Sequence, residues 1–319
     1  MAYSSGGLIE AVDYNNRVNA LNSIWGAGSG ANGYGQTSTT LSTTSTSATV
    51  TATQWASLIA RLDAISVHQT GGTYGGYSLG ISQPTAGTTI AWLNTLDTKI
   101  AATYTNRLSA SFRGALNLTA IGNITNSTGW YTSATKEVTI TFSSTDTVRY
   151  FFNAGGLISM NITQAAGANI KSTDWSNFYT NQVGVISLGY STTTRSGSGG
   201  DANNTVPGNP TPPTSVNTGW SNLTYVYQQL FYIGSTTATG YYGNNYITIE
   251  AKLVTNPNAI AFRFISYDVA LDSAPYRNLT QQVVSGANTL NVGWTPPETT
   301  YLTNTWGTPT FTVNTNTQG

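Results

Sequence analysis

A mainly β protein with an α-helical N-terminal segment is what the sequence predicts, its body an antiparallel β-sandwich or jelly roll. Three observations carry this. Three amphipathic helical stripes fall within about the first 106 residues. Beyond Arg107 the pattern changes to alternation, as in Val138, Ile140 and Phe142 with Thr between them, and apolar runs recur at roughly 8–12-residue intervals with turn signals between them, the mark of a sandwich or barrel. The composition is rich in Thr, Tyr and Val, which suit a pleated half-buried surface, and in Gly, Asn and Ser, which suit its turns.

The elements follow in order. Residues 13–25 predict a helix that Asp13 caps, with Tyr14, Val18, Leu21 and Trp25 at helical spacing. Thr51-Ala-Thr-Gln54 is a capping box, and Trp55, Leu58, Ile59, Leu62 and Ile65 form the apolar face of the helix it opens. His68 to Gly72 ends that helix, with Gly fitted to the left-handed position. A third helix is expected over 89–104, with Trp92, Leu93, Leu96 and Ile100 as its stripe. Strands are expected at 148–152 and 157–162. The Asn153-Ala-Gly-Gly156 step would join them in a β-hairpin whose structural residues are Phe151, Phe152, Asn153, Gly155 and Gly156. The Tyr150-Phe-Phe152 run is too dense for a one-sided strand, so both its faces are expected to be buried. Residues 172–183 read as a short helix with Trp175, Phe178 and Tyr179 on one side. Further strands are expected at 183–190, 223–233, 245–255, 260–270 and 308–313, and a Gly-, Pro- and Ser-rich loop or linker at 191–217. This divides the chain into a helical attachment segment, 1–106, and a β-rich body, 107–319. Removing residues 1–105 is expected to leave the body folded.

Charge restricts function. Only 8% of the 319 residues are Asp, Glu, Lys or Arg, against about 25% in an average soluble domain. The 12 basic and 12 acidic residues cancel, so no basic stripe is there to meet a phosphate backbone, and nucleic acid is not an expected partner. No apolar run reaches the length of a membrane span, so no membrane insertion is expected. Trp and Tyr recur along the chain and net charge is zero, the reverse of a disordered composition. So little charge leaves a surface poorly protected against association, which points to a homo-oligomer or to coverage by partners. There is no cysteine, hence no disulfide, thiolate metal site or cysteine nucleophile. The N-terminus lacks the pattern of a signal peptide.

Few groups could carry catalysis. A Ser–His–Asp triad would have to use His68, the sole histidine, which also suits the free carbonyls at its helix end. Asp268 and Asp272 are the only carboxylates close in sequence after a strand. They read as turn residues or as part of a calcium loop, although such loops concentrate more carboxylates. The Gly-rich stretches 26–35 and 196–200 lack the phosphate-loop Lys. No catalytic, cofactor-binding or metal-ligating set is therefore assigned. Tyr74, Tyr77, Tyr241, Tyr242 and Tyr246, in Gly- and Asn-rich surroundings, could stack on sugars, anchor a protein partner, or pack locally.

Several phrases occur in order: Asp13-Tyr-Asn-Asn, Gly33-Tyr-Gly-Gln36, Thr51-Ala-Thr-Gln-Trp55, Val67-His-Gln-Thr-Gly71 and Arg149-Tyr-Phe-Phe-Asn-Ala-Gly-Gly156. Over the first half of the chain this set resembles virion structural proteins of tailed bacteriophages, a marine and cyanophage-like group. The resemblance implies a non-enzymatic part of the tail, baseplate or fibre system, made in the host cytoplasm and released in the virion. It also implies other virion proteins as partners, and a trimer would suit a fibre-like part. A receptor- or glycan-binding adhesin, with a host surface glycan as partner, and a capsid decoration or neck protein stand as alternatives. A depolymerase is disfavoured by the sparse carboxylates.

Overall fold

The computed structural model describes residues 10–71, 81, 85, 90–166, 169–199, 213–235, 245–269 and 283–319. The chain divides into a helical unit (Met1–Ala115, Asp146–Gly156, Pro296–Gly307) and a β unit (Leu116–Thr145, Leu157–Thr295, Thr308–Gly319).

The helical unit contains α1 (Ala11–Trp25), α2 (Ala52–Thr70), α3 (Leu93–Asn106) and α4 (Thr145–Asn153). α1 starts two residues before the expected point, because Asp13 acts inside the first turn and takes the Glu10 N–H at 3.0 Å. The capping box of α2 forms as expected. The Thr51 N–H donates to Gln54 Oε1 (2.7 Å), and the Gln54 N–H donates to Thr51 Oγ1 (3.2 Å). Gly71 closes the helix with φ +70°. Tyr14, Val18, Leu21, Trp55, Leu58, Ile59, Leu62, Leu93 and Leu96 bury the three helical stripes. Trp55 takes the edges of Tyr14 and Trp92 at ring separations of 5.3 and 5.6 Å.

The expected hairpin is not there. Phe151, Phe152 and Asn153 end a helix, α4, and Gly155 and Gly156 form the turn that leaves it. Val148, Phe151 and Phe152 are fully buried at i, i+3 and i+4, so the density of the aromatic run reflects one helical face, not a two-sided strand. Asp146 sits in the first turn, where the helix dipole favours it, and pairs with Arg149 at 2.8 Å. The helix fits a fixed loop. The Asn153 amide reaches the carbonyls of Gly30, Asn32 and Gly33 at 3.1–3.3 Å, and Arg149 donates to the Asn32 carbonyl. Gly33 has φ +96°, and a Cβ there would lie 2.0 Å from the Ala27 carbonyl oxygen. Asn153→Ala removes all three bonds, strands the buried Gly33 carbonyl and is expected to cost about 1–3 kcal/mol in urea unfolding. Asn153→Asp, which turns an acceptor toward acceptors, is expected to cost at least as much.

The β unit holds β1 (Asn117–Asn126), β2 (Ser133–Thr141), β3 (Leu157–Gln164), β4 (Ile186–Leu188), β5 (Thr193–Arg195), β6 (Ser215–Val216), β7 (Gln228–Gly234), β8 (Tyr246–Leu253), β9 (Ala259–Tyr267), β10 (Asn288–Thr295) and β11 (Thr310–Gln318). They make two antiparallel sheets, β1-β10-β3-β4-β5-β6 and β11-β2-β9-β8-β7, in a sandwich-like body. Alternate residues fill the interior: Val138 and Ile140; Ile247 and Ile249; Ile260, Phe262 and Phe264; Ile158, Met160 and Ile162; Leu290 and Val292. The expected helix at 172–183 forms as α5 (Ile170–Asn177) and a π-helical turn, Phe178–Val183, and buries Trp175, Phe178 and Tyr179 as expected. The Tyr179 hydroxyl lies 2.7 Å from Ser266 Oγ on β9.

The described residues of the 191–217 stretch, 191–199 and 213–217, lie within the β unit and contribute β5 and β6. Arg195, buried, holds this region together by donating to the carbonyls of Gln182, Gly197, Gly199 and Pro213. The division between units falls at Ala115/Leu116, not at residue 106, and α4 and residues 296–307 join the helices.

Candidate contact surface

The outward residues of both sheets form the most organised surface of the β unit. On the six-stranded sheet, register places residues of one type side by side across three strands. Thr125, Thr289 and Thr163 form one row, and Asn123, Asn291 and Asn161 the next. The hydroxyls of Thr125 and Thr289 are 2.9 Å apart, and the Asn291 amide donates to Asn161 Oδ1 at 3.2 Å. A third row joins Ser187 to Thr194 and Ser215, and Ser187 meets the hydroxyl of the buried Ser159 at 3.0 Å. The six strands of this sheet contain a single charged residue, Arg195, whose guanidinium is spent on backbone carbonyls.

The five-stranded sheet carries aromatics and charges instead. Tyr232 of β7, Tyr246 of β8 and Tyr267 of β9 stack in a row, with ring centroids 5.0 and 4.5 Å apart and planes within 29° and 22°. Burial and the neighbouring Tyr267 push the Tyr246 hydroxyl above its ordinary pKa. Further along, the Tyr227 ring lies against Arg263 (4.1 Å) and Lys252 (4.3 Å). Arg263 donates from both Nη2 and Nε to the single oxygen Glu250 Oε2, at 2.5 and 2.7 Å. Burial, then the Glu137 carboxylate, raises the Tyr227 pKa. A depression lined by Tyr225 and Lys252 to Thr255 adjoins this cluster and holds about 230 Å³, below the roughly 300–1,000 Å³ of small-molecule pockets. The geometry suits contact across a face.

Of the five tyrosines singled out in the sequence, Tyr246 alone lies within the described residues; Tyr74, Tyr77, Tyr241 and Tyr242 lie outside them. Tyr246 occupies the middle strand of the three, so both its ring faces are taken by Tyr232 and Tyr267. It offers a partner its ring edge and hydroxyl. A sugar that stacks on this row needs Tyr267. Tyr232 and Tyr267, with Tyr227, Arg263 and Glu250, went unnoticed in the sequence. The signal available was the alternation Tyr246-Thr248-Glu250-Lys252 opposite Arg263-Ile265-Tyr267, which marks one face of two strands.

His68 is not arranged as a triad base. It is fully buried, its Nε2 donates to the Ala154 carbonyl at 2.9 Å, and its Nδ1 has no hydrogen-bond partner. The carbonyl it meets lies outside its own helix, and burial lowers its pKa to about 4 and keeps the ring neutral. Asp268 is no exposed turn residue but lies in a buried ion pair with Lys171, both side chains 1% exposed. Asp272 lies outside the described residues. Among the described residues no three carboxylate, histidine or cysteine side chains gather as a metal site would require, and no helix is long and apolar enough to cross a membrane.

Comparison with protein-family models, with curated proteins and with solved structures gave no match.

Proposed function

We propose that this chain is a non-enzymatic structural protein of a bacteriophage particle, of the tail, baseplate or fibre system, that assembles through uncharged faces of its β unit. The observation that carries the proposal is the six-stranded sheet whose outward rows are Thr, Asn and Ser with no free charge. Like charges are what normally keep such faces apart in solution, and net charge near zero favours association. A particle subunit needs a surface of that kind, because its neighbours are copies of itself or other virion proteins. The ordered phrases of the first half support the virion class.

The test is mass spectrometry of purified particles of the encoding virus, followed by immunogold microscopy. Gold at the tail or its tip is the expected result. Gold over the head would make the chain a capsid decoration or neck component, and absence from particles by both methods would sink the proposal. A second reading, glycan binding at the host surface, is favoured by the tyrosine row. On that reading Tyr267→Ala weakens glycan-array binding more than Tyr246→Ala does, since stacking on an aromatic needs an uncovered face.

A further inference from the structure

We infer that Lys171 and Asp268 are joined by an intramolecular amide bond that the β unit forms by itself. The two side chains are in contact, Nζ against Oδ2, and each is 1% exposed. Lys171 comes from α5, and Asp268 follows the last residue of β9. Their surroundings are aromatic: Trp175 packs on Trp130 at 4.8 Å and on Tyr179 at 5.2 Å, and all three are essentially inaccessible. In such a site the pair is stripped of hydration, so its separated charges are costly to hold. Burial accordingly pushes the Asp268 carboxyl upward, against Lys171, Asn245 and Trp175.

The chemistry balances without a co-reactant. A proton passes from the ammonium to the carboxylate and leaves a free amine and a carboxylic acid. The amine nitrogen attacks Asp268 Cγ, a C–N bond forms and a C–O bond breaks. The nitrogen's second proton leaves with the hydroxyl as water, and nothing is oxidised or reduced. The fold supplies what the uncatalysed reaction lacks. Nucleophile and electrophile are held together, which converts a bimolecular step into a unimolecular one. The Trp175 indole N–H is buried without a hydrogen-bond partner and acts, with Asn245, on the same carboxyl. These donors are placed to stabilise the oxygen as negative charge develops on it. Asp268 is also fixed in place, since its N–H donates to the Thr132 carbonyl (2.9 Å) and the next N–H donates to Asn245 Oδ1 (2.8 Å). In a chain without cysteine, this bond would close the stretch from residue 171 to 268 covalently.

Intact mass of the purified full-length chain, measured under denaturing conditions, tests this. The expected mass is one water below that of the sequence, with the full sequence mass restored in Lys171→Arg, which keeps the charge and lacks the amine. Trypsin is expected to release a branched product joining residues 150–195 to 264–277, uncut after Lys171. A wild-type chain at its full sequence mass overturns the inference. So does a lost water that persists in Lys171→Arg or maps to a linear peptide, since Asp268 would then have cyclised on its own backbone.

Discussion

Deleting residues 1–105 is expected to give an aggregated product, not a free β body. The helical unit is built from three stretches of chain, and the deletion removes only one of them. α4 would remain, with Val148, Phe151 and Phe152 stripped of their partners; all three are 0% exposed in the intact protein. Exposing each costs about 1.5–3 kcal/mol, so together they cost a large part of the roughly 5–15 kcal/mol that holds a typical domain. The Gly30–Gly33 carbonyls that anchor Asn153, and the His68 ring that meets the Ala154 carbonyl, would go as well. A second form that also replaces 146–156 and 296–307 with short Gly-Ser linkers is expected to be soluble and to unfold cooperatively. Size-exclusion chromatography and urea unfolding of both forms decide the matter. A soluble, cooperative 106–319 fragment would show that α4 does not depend on the helices.

Mild acid is expected to weaken the helical unit through His68. Burial, the largest cause, holds the ring at about 4, with Arg113 lowering it further and the Ala154 carbonyl and Glu298 opposing. In the unfolded chain the ring titrates near its ordinary 6.5. Between those values the unfolded state binds the proton and the folded state does not, so stability is full above pH 6.5 and falls as pH drops toward 4. The gap is worth ~3 kcal/mol at most. His68→Gln, which keeps a donor for the Ala154 carbonyl without a titrating group, is expected to flatten the decline. Urea midpoints of both proteins between pH 7.5 and 4 measure it. Parallel curves for the two would assign the acid response to other groups.

Local signals were readable in the sequence where local physics decides the structure. The capping box at Thr51 and Gln54, the glycine stop at residue 71 and the stripes of the three N-terminal helices are all statements about i to i+3 or i+4 neighbours. The alternating strands β2, β8 and β9 were visible for the same reason, at period two. The reading failed at α4 because Val, Tyr and Phe have strand preference, and the loop that makes a helix of them lies about 120 residues earlier. β1 and β10 escaped notice because their outward Thr and Asn and their glycines dilute the alternation; Gly293 sits where a Cβ would meet the Asn117 carbonyl at 1.8 Å. The surface rows could not be read at all. Thr125, Thr289 and Thr163 become neighbours only through register, and register between distant strands is a property of the assembled sheet.

The pairing of β1 with β10, and of β2 with β11, has a consequence for how the chain matures. Residues 117–126 wait for 288–295, and 133–141 wait for 310–318, while the helical unit waits for residues 296–307. Neither unit can close until residues 288–318 have left the ribosome, and at 5–20 residues per second β1 waits roughly 8–35 s for β10. Loop-closure entropy over such separations also slows folding itself. During that interval the uncharged strands are exposed on nascent chains, and a shortened product completes neither unit. A chain that stops before residue 288 would therefore close neither unit, so the pairing of distant segments ties folding to the completed synthesis of residues 288–318.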